Sequence, residues 1–133
     1  MRDAAARGSA LLLGLIGYGF SMAMMVRAGL GLDPWRASIT EIARNPNVVG
    51  KVSGLVNHCD PGWTADTLRP YVEHMIESFG WDRVVWGSDH PVATTTGGTL
   101  TDWVNATREI IKDTSPDEQS ALLHRNAERI YKV

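Results

Sequence analysis

One cysteine, Cys59, in 133 residues excludes a disulfide within the chain and fits a reducing compartment. Charge of either sign is not in excess. Thirteen basic residues face fifteen acidic ones, a formal net charge of -2, and no basic stripe marks a nucleic-acid partner. Internal repeats, charge blocks and low-complexity tracts are absent. The length is that of one ordinary domain, enough for a real core.

Charge is also missing locally. From Gly8 to Val26, "GSALLLGLIGYGFSMAMMV", no residue is ionisable at neutral pH, and the run approaches the ~20 residues a helix needs to cross a bilayer core. Arg2 and Arg7 precede it and Arg27 follows. Three readings stay open. A transmembrane helix over residues 9–26 has the length, and its glycines suit close packing in lipid. A signal sequence would be cleaved after Ala28, with Arg27 set awkwardly beside the cut. A buried core helix is the third. On the first reading residues 1–32 are a membrane helix and 33–133 a separate domain. Arg27, Arg36 and Arg44 then favour a cytoplasmic carboxyl-terminal part. Without insertion the chain is cytoplasmic.

Beyond this run the chain has regular punctuation. Asp33-Pro34 predicts a helix start with Asp33 as N-cap, and Asn45-Pro46 a stop, with Trp35, Ile39, Ile42 and Ala43 at helical spacing between them. "NVVGKVSGLV" is rich in β-branched residues and predicts a strand. Its alternation puts Val49, Lys51, Ser53 and Leu55 on one face and Val48, Gly50 and Val52 on the other. A second helix carries Leu68, Val72, Met75, Ile76 and Phe79, with Pro70 tolerable only near its first turn and Gly80 as its C-cap. "RVVWGSD" is the second strand. A third helix comes after the "ATTTGGT" loop, and "SPDE" opens a fourth with a capping box and a proline in its first position.

Strands separated by helices imply parallel pairing and an α/β fold. Two strands make only part of such a domain, because a parallel sheet is covered on both faces and is usually wider. The face bearing Lys51, Ser53, Val85 and Gly87 is therefore expected to be left open.

The candidate chemistry sits in "VVWGSDHP". Asp89 falls at the carboxyl end of a parallel strand, where α/β enzymes hold their reactive groups, and Gly87 leaves space beside it. A turn or cap role for Asp89 is the other reading. Lys51 and Ser53 face the same way on the neighbouring strand. Their alternative is structural, as is that of His90. His58, Cys59 and Asp60 are adjacent and lack metal-ligand spacing, though His58 can serve as a substrate contact from its loop. His74 and His124 lie on helices and are expected to be solvated. Cys59 has no partner to make it a nucleophile.

"NVVGKVSGL", "LRPYVEHMIESFGWDRVVWGSDHPV" and "NAERIY" together resemble the carboxyl-terminal part of the amidohydrolase-related (amidohydrolase 2) family, over about Asp33 to Val133. The resemblance implies the last two βα units and terminal helix of a TIM (β/α)8 barrel. It implies a hydrolase of the lactonase type, acting on a small-molecule lactone or related substrate. "GSD-x-P" marks the last barrel strand, so the resemblance assigns Asp89 as catalytic base and as a ligand of a divalent metal, zinc or manganese, in metal-dependent members. Lys51, His58 and His90 become candidate substrate contacts. The family's metal site begins with a His-x-His pair, which this sequence does not contain. A chain inactive alone and binding no metal is therefore expected. The alternative is a non-catalytic membrane-anchored remnant or fusion product. "YGFSMAMMVRAGLGLDPW" resembles the first transmembrane helix of the YczE/YitT-like membrane proteins, which places a junction between Gly31 and Trp35 and makes the membrane a partner of residues 9–26.

Overall fold

The computed structural model describes residues 32–95 and 98–133, together with the backbone of Leu11–Leu13. The order is strand β1 (Leu11–Leu13), helix α1 (Asp33–Ala43), strand β2 (Val48–Val52), helix α2 (Ala65–Phe79), strand β3 (Val84–Trp86) and helix α3 (Leu100–Ile111). A closing helical segment runs through α4 (Pro116–Ser120), a π turn (Ala121–Arg125) and α5 (Asn126–Tyr131). The strands form one parallel sheet in the order β1-β2-β3, with Leu11 beside Val48 and Gly50 beside Val84.

The pairing of β2 with β3 agrees with the sequence reading, and β1 corrects it. One continuous helix over residues 9–26 is excluded, because Leu11–Leu13 is extended and paired with β2. A short apolar run is compatible with a strand as well as with a helix, and periodicity alone does not tell the two apart. Residues 14–31, the rest of that expectation, lie outside the described residues. Among the described residues no helix is long and apolar enough to cross a membrane.

Helix ends obey local chemistry. Asp33 is the first residue of α1 rather than its N-cap, with Pro34 beside it in the first turn. Thr64 caps α2, exchanging hydrogen bonds with Thr67. That start puts Pro70 in the second turn, where its missing N–H leaves the Asp66 carbonyl without the usual helical donor. Thr99 with Asp102 and Ser115 with Glu118 form capping boxes on α3 and α4. Hydrogen bonds from the Thr99 hydroxyl and N–H hold the Asp102 carboxyl below its ordinary range, and those from the Ser115 N–H and hydroxyl do the same for Glu118.

Strand alternation then sorts the core. Val48, Val52 and Val84 pack with Trp35, Val72, Met75, Trp103 and Leu122 of the helices. Gly50 shares that face, and a Cβ there would stand 2.6 Å from Met75 Cε and 2.7 Å from the Phe79 ring. Helix α2 can lie this close only over glycine. The opposite face is not left open. Val49, Ser53 and Val85 are all buried, as a parallel sheet requires on both faces. Leu55 also departs from the expected face. Gly54 takes φ 72°, which breaks the alternation and returns Leu55 to the helix-side core.

Two side chains lock the amino ends of the strands. Arg83 donates to the carbonyls of Asn45, Val48 and Ala43 at 2.9, 3.1 and 3.1 Å, satisfying the end of α1. Asn126, only 5% exposed, donates to the carbonyls of Trp81 and Val84 at 2.5 and 2.8 Å. The π turn before it, closed by the Asn126 N–H on the Ala121 carbonyl, carries this amide to the inner side. The asparagine of "NAERIY" is thus a clamp on β3.

Candidate functional site at the carboxyl ends of the strands

The loops leaving β2 and β3 meet at one end of the sheet. The 3-10 turn Val56–His58 comes after β2, and the turn Val92–Thr94 after β3. Asp89 lies between β3 and its turn with φ 52°, and its carbonyl accepts the Ala93 N–H at 2.8 Å. Its half-buried carboxylate accepts from Asn57 Nδ2 at 2.5 Å. The same oxygen lies 3.3 Å from the position a Cβ on Gly54 would take. A glycine at 54 therefore lets the carboxylate nestle against β2's exit loop while Asn57 fixes one of its oxygens.

Support comes from behind. Trp86 Nε1 donates to Thr107 Oγ1 at 2.9 Å, Thr107 Oγ1 to the Trp103 carbonyl at 3.0 Å, and Trp103 Nε1 to the Gly87 carbonyl at 3.1 Å. The two indoles stack with centroids 5.8 Å apart. This chain ties the start of the Asp89 loop to α3, so the loop is set by rigid elements.

Lys51 and Ser53 do share a face with Gly87. A Cβ at Gly87 would stand 2.5 Å from Lys51 Cε, 3.3 Å from Lys51 Nζ and 3.2 Å from Ser53 Cβ. The space that glycine leaves is taken by the lysine stem, not left free beside Asp89. Ser53 Oγ and Asn57 Oδ1 are buried and, among the described residues, have no hydrogen-bond partner. His58 is half-buried in the β2 exit turn, and His90 is exposed next to Asp89, its N–H on Ser88 Oγ at 3.3 Å. His74 is not solvated as expected. It is half-buried against Trp35, with Nε2 3.0 Å from the Arg36 carbonyl. His124 is exposed, 3.5 Å from Glu128. Cys59 is half-buried, its thiol on the Leu55 carbonyl at 3.4 Å. Burial, and then the charge of Asp60, push its pKa up to about 11, so it is no thiolate nucleophile near neutrality. Asn57 escaped the sequence reading. Its only signal was position, an amide directly after the segment predicted as a strand, overshadowed by the His-Cys-Asp that comes next.

Among the described residues no group of three His, Cys, Asp or Glu side chains could hold a metal ion. A catalytic divalent ion takes about three protein ligands. Asp89 offers one, so the described residues do not fit a metal by themselves. An open groove of about 420 Å³ between Trp63 and α3 does not include Asp89, and two of its carboxylates are engaged, Asp102 by Thr99 and Glu109 by Lys112.

A parallel α/β sheet with a held carboxylate at its carboxyl end puts that group where α/β enzymes place their reactive residues. Residues 21–133 match the amidohydrolase family, and the chain belongs to that family. It is 37% identical over 110 residues to an uncharacterised protein, y4mH, of Sinorhizobium fredii, covering 83% of this chain and 36% of that one. It is 30% identical over 104 residues to an L-fucono-1,5-lactonase of Burkholderia ambifaria, covering 76% and 36% of the two. Among solved structures, an amidohydrolase of Burkholderia multivorans with bound HEPES matches 92% of this chain and 44% of that one at 30% identity, TM-score 0.79. A zinc-bound form of an amidohydrolase from that organism matches with TM-score 0.71, over 77% and 38% of the two chains and at 30% identity. The chain thus spans little more than a third of the curated relatives. The family match begins at Ser21, upstream of the expected junction between Gly31 and Trp35, and none of these comparisons supports a likeness to YczE/YitT-like membrane proteins.

Proposed function

We propose that this chain carries the proton-accepting end of a (β/α)8-barrel hydrolase for sugar lactones or related cyclic esters, with Asp89 as the base. The observation that carries it is the Asp89 carboxylate at the carboxyl end of the sheet, one oxygen fixed by Asn57 and the loop braced by the Trp86–Thr107–Trp103 chain. Lactone opening consumes one water. The water oxygen bonds to the ring carbonyl carbon, the ring C–O bond breaks, and the leaving alkoxide takes up a proton to give the hydroxy acid. Asp89 receives the proton from the water and returns it to the alkoxide. The L-fucono-1,5-lactonases among the relatives favour a sugar lactone. His58 and His90, one on each loop, meet the substrate beside Asp89, and Lys51 from the strand below.

By itself this carboxylate supplies one part of the chemistry, and the chain alone is expected to be inactive. Hydrolysis of L-fucono-1,5-lactone by the full chain, with and without added zinc or manganese, tests that. The expected rate equals that of Asp89→Asn. Metal-stimulated turnover abolished by the substitution would overturn it and show that the chain, as a monomer or an oligomer, assembles a working site.

A further inference from the structure

We infer that Lys51 and Ser53, over Gly87, form a cradle for a carboxylate: the acid group of the ring-opened product and, before it, the charge developing on the lactone carbonyl oxygen. The inference rests on the lactone-hydrolase reading above and names the part of the site that would hold the reacting carbon's oxygens.

Both residues border the same space over Gly87. Lys51 Nζ and Ser53 Cβ stand 3.3 and 3.2 Å from where a Gly87 Cβ would lie. Ser53 is only 3% exposed, yet among the described residues its hydroxyl has no partner. A buried hydroxyl is normally satisfied, and one left over at the carboxyl end of a sheet wants a ligand. Among the described residues Lys51 Nζ makes no hydrogen bond or ion pair. An ammonium half out of water that meets no carboxylate among the described residues is a donor set awaiting an anion. Glycine at 87 allows the arrangement, since any side chain there would displace the lysine stem.

The reaction itself identifies the ligand. Hydrolysis of a lactone turns its carbonyl carbon into a carboxylate, so product and transition state place negative charge on the same oxygens. Donors that bind the product acid there also stabilise the charge as it forms. The neighbouring Asp89 carboxylate has one oxygen occupied by Asn57, which leaves the other for the water. Lys51 and Ser53 then take the carbonyl side, and Asp89 the attacking side.

Binding of L-fuconate to the full chain, monitored by amide NMR shifts, tests the cradle without requiring turnover. Saturable shifts at Ser53 and Gly87 are expected, with affinity reduced about tenfold or more in Lys51→Met and restored to within about threefold in Lys51→Arg. Ser53→Ala should weaken binding about threefold or more. No saturable shift at either residue, equal affinity in Lys51→Met, or equal binding of the neutral polyol L-fucitol would each overturn the inference. If Lys51→Met loses its dispersed spectrum, the Ser53→Ala and fucitol comparisons decide. Fuconate binding lost with Lys51 counts for the cradle even where lactone turnover is never found, so the two readings fail separately.

Discussion

Replacing Asn126 by alanine removes two donors at once from the amino end of β3. The Val84 carbonyl is buried, and losing its partner there costs about 1–3 kcal/mol. The Trp81 carbonyl is closer to water and recovers part of its loss, so it adds about 1 kcal/mol. Together about 2–4 kcal/mol is expected, a large share of the roughly 5–15 kcal/mol that holds a domain. In a chain of this length that lowers the melting temperature by on the order of 10 °C. Asn126→Asp should also destabilise, since it replaces the donor facing the two carbonyls by a carboxylate oxygen. Arg129, whose Nη2 stands 3.5 Å from the Asn126 amide oxygen, offsets only part of the buried charge. Urea unfolding monitored by circular dichroism measures both. A loss below about 0.5 kcal/mol in Asn126→Ala would refute the clamp.

Gly50→Ala should destabilise by about 1–3 kcal/mol through the contacts with Met75 and Phe79, and denaturant midpoints with an unchanged slope would report it. Cys59, its pKa raised to about 11, should alkylate at pH 7.5 about a hundredfold more slowly than a free thiol, and faster as pH rises toward that value; fast labelling at neutral pH would contradict its burial.

Much of the fold is legible in the sequence because its signals are local. Ser115 to Glu118 announces a capping box, and the alternation of "VVGKV" separates Gly50, under a helix, from Lys51, over Gly87. The resemblance to amidohydrolases places the catalytic candidate on Asp89. Where the reading falls short, the cause is tertiary. Leu11–Leu13 carries no period that tells a strand from a membrane helix, and only its pairing with Val48–Gly50 decides. Leu55 changes face because Gly54 adopts a positive φ, which no alternation rule anticipates. Asn57 matters through a contact with a carboxylate thirty-two residues away.

The central claim, that Asp89 is the base of a lactone hydrolase, is tested most directly where the rest of such an enzyme is supplied. Residues 33–133 would replace the matching segment of the Burkholderia ambifaria L-fucono-1,5-lactonase, and hydrolysis of L-fucono-1,5-lactone would be compared between that chimera and its Asp89→Asn form, both checked for folding by circular dichroism. Removing a general base is expected to lower kcat about 100-fold or more with KM little changed. A folded chimera that hydrolyses the lactone equally well with asparagine at 89 would contradict the assignment.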